Sequence, residues 1–195
     1  IDDAALELTD ISDYGFFVEY NDEYAKEMVT GFIQLDGVTV GAVANRTAIY
    51  DENGEKAEEF AAVLTTDGAY KAAEFVTFCN AFEIPVLSLT NVKGFEANVR
   101  AEKTIAKAAA KLVYAFSNAD VPKVNVITGE AYGSAYVAMN SKSVGADMVY
   151  AWSQASIGMM DASLAAKIMY ADEIASADDV TAKINDKDSE YESLK

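Results

Sequence analysis

The sequence contains no histidine. Without imidazole, neither a Ser-His-Asp or Cys-His catalytic set nor a zinc site built on histidine ligands can be assembled within the chain. Its single cysteine, Cys79, excludes an internal disulfide and points to a reduced, cytoplasmic setting. Basic residues are scarce: 15 lysines and arginines stand against 32 acidic residues, for a formal charge of -17 and a pI of about 4.2. A surface of that sign repels phosphate backbones, so nucleic acid and anionic membrane are not expected as partners. No apolar run reaches the roughly 18 residues of a membrane-spanning helix, and the opening Ile1-Asp2-Asp3 lacks the basic start of a secretory signal. An opening isoleucine without methionine points to a start inside a longer product, or after processing. Only two prolines, Pro85 and Pro122, interrupt 195 residues that are 51% hydrophobic and 24% charged, the profile of one folded domain over 1–195.

What is present alternates between helix and strand. Between Gly31 and Ala44, Asp36-Gly37 separates two apolar runs, the signature of a tight β-hairpin. The acidic stretch Asp51 to Glu59 has no periodicity and reads as a solvated loop or exposed helical turn. Within it, Asp51-Glu52-Asn53-Gly54 lacks the spacing and closing glutamate of a calcium loop. Past the apolar run Ala61 to Leu64, Asp67 can cap a helix whose Ala72, Phe75, Val76, Cys79 and Phe82 recur at steps of three and four. Cys79 lies on that stripe and is expected in the core rather than as a nucleophile. Pro85 opens the strand Val86 to Leu89, which ends in a loop from Asn91 to Phe95. The unit then repeats: Ile105, Ala108, Ala109, Leu112, Val113 and Phe116 mark one helical face, and Pro122 opens the strand Val124 to Ile127, which leads to the turn Tyr132 to Tyr136. A weaker third repetition places strands at Met148 to Trp152 and Ile157 to Met160 and a helix from Ala162 to Ile174. The alternation predicts an α/β protein with a largely parallel sheet. The strongly charged tail, 177–195, reads as a surface helical extension, or one that packs on a partner.

The turn after the Pro122 strand is the most informative local feature. Gly133, Ser134 and Ala135 stand where a helix should begin, and helix starts aim unpaired backbone amides outward. Small side chains let a ligand approach those amides, as an oxyanion hole requires. A close-packed helix start without a ligand satisfies the same pattern. Ser134 is rejected as a nucleophile, because a hydrolase elbow has glycine two residues to either side, where this chain has Tyr132 and Tyr136. Gly94-Phe95 follows the other proline-opened strand and in a parallel sheet would share Gly133's edge, where ligands bind. An ordinary strand-to-helix turn is the competing reading there. Asn45-Arg46-Thr47 spells a glycosylation sequon, without meaning where no secretory route is followed. Tyr132, Tyr136, Tyr150 and Tyr170 either form a cofactor surface or bridge core and solvent.

Four segments, GFIQLDGVTVGAVAN (31–45), KAAEFVTFCNAFEIPVLSLTNVKGF (71–95), AAKLVYAFSNADVPKVNVITGEAYGSAYVAMNSKSVGADMVYAW (109–152) and IGMMDASLAAKIMY (157–170), carry a family likeness. In that order they resemble the carboxyltransferase family of biotin-dependent acyl-CoA carboxylases and decarboxylases, specifically the C-terminal crotonase-like half of its fused subunit. The resemblance implies a crotonase-like ββα spiral in which backbone amides stabilise enolate-like oxyanions, with the active site between the N-half of one protomer and the C-half of another. Carried over by position, it assigns the amides of Ser134 and Ala135 to the ureido oxygen of biotin and Val137 to the acyl pocket. Gly133, Gly94, Phe95 and Asn45 fall in motifs that approach the same cleft. Many members have glycine where Ser134 stands, proline where Lys93 stands, and Leu-Pro-Gly in place of Glu96-Ala97-Asn98. Nothing similar to the N-terminal half or to the family's closing segment is present, so the chain is expected to be part of an enzyme.

The activity implied by the resemblance moves a carboxyl group between carboxybiotin on a carrier protein and a coenzyme A thioester of the acetyl-, propionyl- or methylmalonyl-CoA class. In that scheme carboxybiotin releases CO2, the biotin ureidate takes the substrate's α-proton, and the enolate captures CO2. The implied partners are an N-terminal crotonase-like half or subunit, a biotin carrier protein, and a biotin carboxylase or decarboxylase, in a homo- or hetero-oligomer. Two alternatives stand beside it: the same chemistry reversed in a sodium-pumping decarboxylase, and a non-catalytic assembly module that keeps the fold. The Ala-rich helices at 101–118 and 162–174 are expected to turn at least one face to another protomer. Phosphates need positive or amide-rich contacts, so a chain with 15 basic against 32 acidic residues should bind coenzyme A poorly by itself. Titration calorimetry checks this; sub-micromolar acyl-CoA affinity for the isolated chain contradicts it.

Overall fold

Asp3 starts the first helix, α1 (Ala4–Ile11), its carboxylate accepting from the Ala5 amide at 3.0 Å. The structure is a computed structural model that describes residues 2–176 and 179–192. An edge strand, β1 (Phe17–Glu19), precedes the expected hairpin of β2 (Met28–Leu35) and β3 (Val38–Asn45). Asp36 and Gly37 in its turn both take positive φ, 52° and 77°, which matches the twist of the two strands. β4 (Ala48–Tyr50) and β5 (Lys56–Glu59) make a second small hairpin. The acidic stretch read as a loop or helical turn therefore ends in a strand. Its side chains are all exposed and its order comes from backbone pairing, which leaves no apolar alternation to detect.

β6 (Val63–Leu64) leads into α2 (Thr66–Ala81). The cap is Thr65, whose hydroxyl accepts from the Gly68 amide at 2.9 Å, and not Asp67, which lies inside the first turn and pairs with Arg100 at 3.0 Å. Phe82 is not on the buried stripe either: the helix ends before it, and it is 64% exposed. β7 (Val86–Val92) runs past the expected Leu89, and the following loop contains β8 (Gly94–Phe95), paired in parallel with β6. α3 (Val99–Asn118), β9 (Lys123–Tyr132), α4 (Gly133–Ala138), β10 (Met148–Ala151) and β11 (Ser156–Gly158) follow.

The main sheet has the order β1-β2-β3-β7-β9-β10, with β11 also pairing β9. β3, β7, β9 and β10 are parallel, whereas β1, β2 and β3 are antiparallel. The sheet is thus mixed rather than largely parallel, because a two-residue turn can join only antiparallel neighbours. On one face, Phe75, Val76 and Cys79 of α2 and Leu112 and Phe116 of α3 form a buried cluster with Val43, Val86 and Met139. On the other, Leu8 of α1 packs with Val29, Ile33, Ala42, Ala44 and Leu89. Val43 and its neighbours Ala42 and Ala44 go to opposite clusters, as the strand period of two requires.

The chain divides into two compact units, one running to Ile157 and the other beginning at Gly158. In the second, α5 (Ala162–Met169) and α6 (Ala171–Ala175) pack with α7 (Val180–Glu192). The helix expected from Ala162 to Ile174 breaks at Tyr170, where φ is -112° and ψ is 26°. α7 carries most of the charged tail; residues 177–178 and 193–195 of that tail lie outside the described residues. Among the described residues no helix is long and apolar enough to cross a membrane.

Two buried features have measurable consequences. A Cβ at Gly41 of β3 would collide with Cys79 Sγ and press on the Phe75 ring at 3.2 Å. Gly41→Ala should cost about 1–3 kcal/mol, and Cys79→Ala should recover part of it, so a urea double-mutant cycle should show coupling. Full additivity contradicts the contact. Lys71 of α2 is 2% exposed and donates to the Ala25 carbonyl at 3.4 Å. Burial pushes its ammonium down to about 8. The folded chain therefore gives up this proton before the unfolded chain does, and the cost of the buried charge, full below about pH 8, is relieved as pH rises to 10.5. Lys71→Met should remove a rise in unfolding free energy of about 1 kcal/mol per pH unit in that window, measured by urea titration against the parent.

Candidate active site

β9 ends at Tyr132, and the chain turns through Gly133 at a φ of 58°. A side chain is strained in that conformation, so glycine is required to turn the strand into a helix at once. α4 then begins with no side-chain cap from Tyr132. The amides of Ser134 and Ala135 belong to the first turn, where no carbonyl four residues earlier is available within the helix. Their partial positive charges accumulate at this end. The Ser134 side chain is exposed, Val137 is 37% exposed, and Ala135 is buried, so the turn is anchored by one side chain and open beside it.

The neighbouring strands end at the same edge. Asn45, the last residue of β3, is buried, and its Oδ1 accepts from the Asn91 amide on β7 at 3.4 Å. Asn91 Oδ1 in turn accepts from the Glu130 amide on β9 at 3.0 Å. Gly129 permits that crossing, since a Cβ there would stand 2.6 Å from Asn91 Oδ1. Lys93 pairs with Glu130 at 3.3 Å. Beyond it, the Lys93 amide donates to the Ala62 carbonyl at 2.8 Å and the Glu96 amide to the Leu64 carbonyl at 3.0 Å, which fixes Gly94 and Phe95 in β8. Asn98 caps α3 by accepting from the Ala101 amide at 2.8 Å. α4 packs against β7, β8, β9 and α3.

Gly133, Ser134, Ala135 and Val137 therefore lie together on one short helix, with Gly94 and Phe95 on the strand beside it. Asn45 approaches through Asn91, with its own side chain turned inward; a buried, bonded amide is also no glycosylation acceptor. In the first unit Tyr132 is buried and donates to Ser156 Oγ at 2.7 Å, Tyr136 is half-buried and Tyr150 is exposed; in the second, Tyr170 lies under Lys187. Burial pushes the Cys79 thiol up to about 12, so it stays protonated in the core. Asn91, and the buried Thr90, Asn125 and Asn140 beneath α4, were not singled out by their sequence. For Thr90, Asn91 and Asn125 the signal was present as polar residues set inside apolar runs, VLSLTNV and VNVI.

The concavity beside α1 does not suit an anionic ligand. About 410 Å³ opens between α1 and Trp152, lined by Leu6 and Ile11 but also by Asp2, Asp3, Glu7 and Asp10. Burial raises the Glu7 carboxyl above its ordinary range. Bringing a phosphate among four carboxyl groups adds like-charge repulsion. The α4 turn offers neutral donors to a developing negative charge without supplying an acid or base of its own.

The Carboxyl transferase domain family matches residues 3–195. The propionyl-CoA carboxylase beta chain of Roseobacter denitrificans is 40% identical over 182 residues, covering 93% of this chain and 34% of its own length. The methylmalonyl-CoA decarboxylase subunit alpha of Propionigenium modestum is 40% identical over 185 residues, covering 94% of this chain and 34% of its own length. A crystal structure of the transcarboxylase 12S hexamer with methylmalonyl-coenzyme A and methylmalonic acid bound matches with a TM-score of 0.84 and 38% identity, over 99% of this chain and 35% of that one. The chain thus spans about a third of the length of the curated relatives that it matches. The chain belongs to the carboxyl transferase domain family and has its crotonase-like fold.

Proposed function

We propose that this chain is the C-terminal crotonase-like part of a carboxyltransferase that moves a carboxyl group between carboxybiotin on a carrier protein and an acyl-CoA of the propionyl- or methylmalonyl-CoA kind. The observation that carries the reading is the α4 turn: a positive-φ glycine, a helix start without a side-chain cap, and two small residues at the carboxyl edge of parallel strands. Ser134 and Ala135 would hold the ureido oxygen of biotin through their amides, with Gly133 permitting close approach and Gly94 and Phe95 forming the adjacent wall. Asn45 would brace that wall through Asn91, and Val137 would face the acyl group. The donor set fits the group, since a ureido oxygen gains negative charge as its carboxyl leaves and amides stabilise an oxyanion without changing protonation state. When bound, carboxybiotin supplies the carboxyl group as a carbamate. This chain's own part is to orient that oxygen and to lower the energy of its charge.

The remaining machinery lies in partners. An N-terminal crotonase-like half or subunit would provide the cationic contacts for coenzyme A, and a biotin carrier and a biotin carboxylase or decarboxylase would set direction. The likeness to a decarboxylase alpha subunit supports a second reading, in which the same site runs toward decarboxylation. An oligomer is proposed with it, on the strength of the hexameric transcarboxylase likeness.

Substitutions at the turn test the reading. Ser134→Gly keeps the amide and should retain activity, whereas Ser134→Pro removes the donor while remaining tolerable in the first helical turn. Loss of an oxyanion donor should lower the rate by about 10²–10³. Gly133→Ala should cost about 1–2 kcal/mol of stability through its left-handed backbone. The measurements are carboxyl transfer to carrier or free biotin by the reconstituted complex, after circular dichroism has shown each variant to be folded. Full activity in a folded Ser134→Pro protein, or a dead Ser134→Gly protein, overturns the assignment.

A further inference from the structure

α4 is six residues long, too short to be stable by itself, so its position is set by what grips it. The grip is at its C-terminal end. The helix closes at Met139, and Asn140 follows at a φ of 56°. The Met139 carbonyl accepts from Asn125 Nδ2 at 3.0 Å, and Asn125 Oδ1 accepts from the Thr90 hydroxyl at 2.8 Å. Asn140 Nδ2 donates to Ser88 Oγ at 3.1 Å and to the Val124 carbonyl at 3.2 Å. Ser88, Thr90, Asn125 and Asn140 are all fully buried, within a layer otherwise built of aliphatic and aromatic side chains. Asn140 Oδ1 has no hydrogen-bond partner, a cost that simple packing would have avoided. Apolar side chains would fill this layer but let a short helix slide; directional hydrogen bonds specify one position.

We infer that Thr90, Asn125 and Asn140 are positioning residues that fix where the Ser134 and Ala135 amides stand, an inference that rests on the oxyanion reading of α4. Six helical residues span about 9 Å, so the network is one rigid step from the donors. Displacing a reacting group's partner by about 1 Å can cost about 10² in rate. The three residues touch no substrate and act only through α4.

The test compares Asn125→Leu, Thr90→Val and Asn140→Gly in the reconstituted complex, the last keeping the left-handed backbone while deleting both side-chain bonds. Each should lower kcat by about 10-fold or more, change the acyl-CoA KM by less than kcat, and speed amide hydrogen exchange across 133–138 relative to β7. Thr90→Ser keeps the hydroxyl and should restore parent values for both. Leu8→Ala, in the opposite layer, is the control for general destabilisation: it should lower the urea midpoint without changing kcat. Parent-level exchange across 133–138 in the three variants overturns the grip on α4, and parent-level kcat despite faster exchange overturns its role in the reaction. A folded Ser134→Pro protein at full rate overturns instead the oxyanion reading beneath it, which separates the two failures.

Discussion

Strand pairing at the carboxyl edge of β3, β7 and β9 stops at staggered points, and each backbone group left there needs another partner. Asparagine supplies it repeatedly. At that edge Asn45 receives the Asn91 amide and Asn91 the Glu130 amide; elsewhere Asn98 receives the Ala101 amide of α3, and Asn125 and Asn140 donate to the Met139 and Val124 carbonyls. Amide side chains suit this work because each carries both a donor and an acceptor without charge. The start of α4, like that of α6, receives no side-chain cap.

The charge balance is consistent with that arrangement. Several of the few cations are committed within the chain: Arg46 holds Glu19 and Asp3, Lys93 holds Glu130, and Arg100 holds Asp67. Lys71 is buried among them, and burial raises the Glu19 carboxyl above its ordinary value despite the opposing field of Arg46. This pairing of cations within the chain is in keeping with the proposal that another half or subunit supplies the contacts for coenzyme A.

Departures from the commonest family pattern carry structural roles of their own. Lys93, in place of proline, gains an ion pair with Glu130 and contributes an amide to the Ala62 carbonyl, a bond that proline could not make. Asn98, at the end of the altered tripeptide, caps α3. The β6–β8 pairing therefore holds Gly94 and Phe95 by backbone hydrogen bonds.

The hairpin at Asp36-Gly37, the buried faces of α2 and α3, the two proline-opened strands and the glycine turn before α4 were legible along the chain. Each depends on local conformational preference or on a period that adjacent residues establish by themselves. The family likeness extended that reading to Ser134 and Ala135. The strand β5, the cap at Thr65, the exposure of Phe82 and the break at Tyr170 were not legible, because pairing partners and helix ends are decided by residues distant in sequence or by backbone geometry that no periodicity records. The same holds for the layer beneath α4: Thr90 and Asn125, 35 residues apart, read singly as polar interruptions in apolar strands, and Asn140, 15 residues further on, as a polar residue past a short helix. Residue types and their order determined that a strand would end in an open helix start. Only the parallel packing of β7 against β9 brought together the buried side chains that decide where that start stands, because hydrogen bonds across a sheet depend on register in space rather than on spacing along the chain.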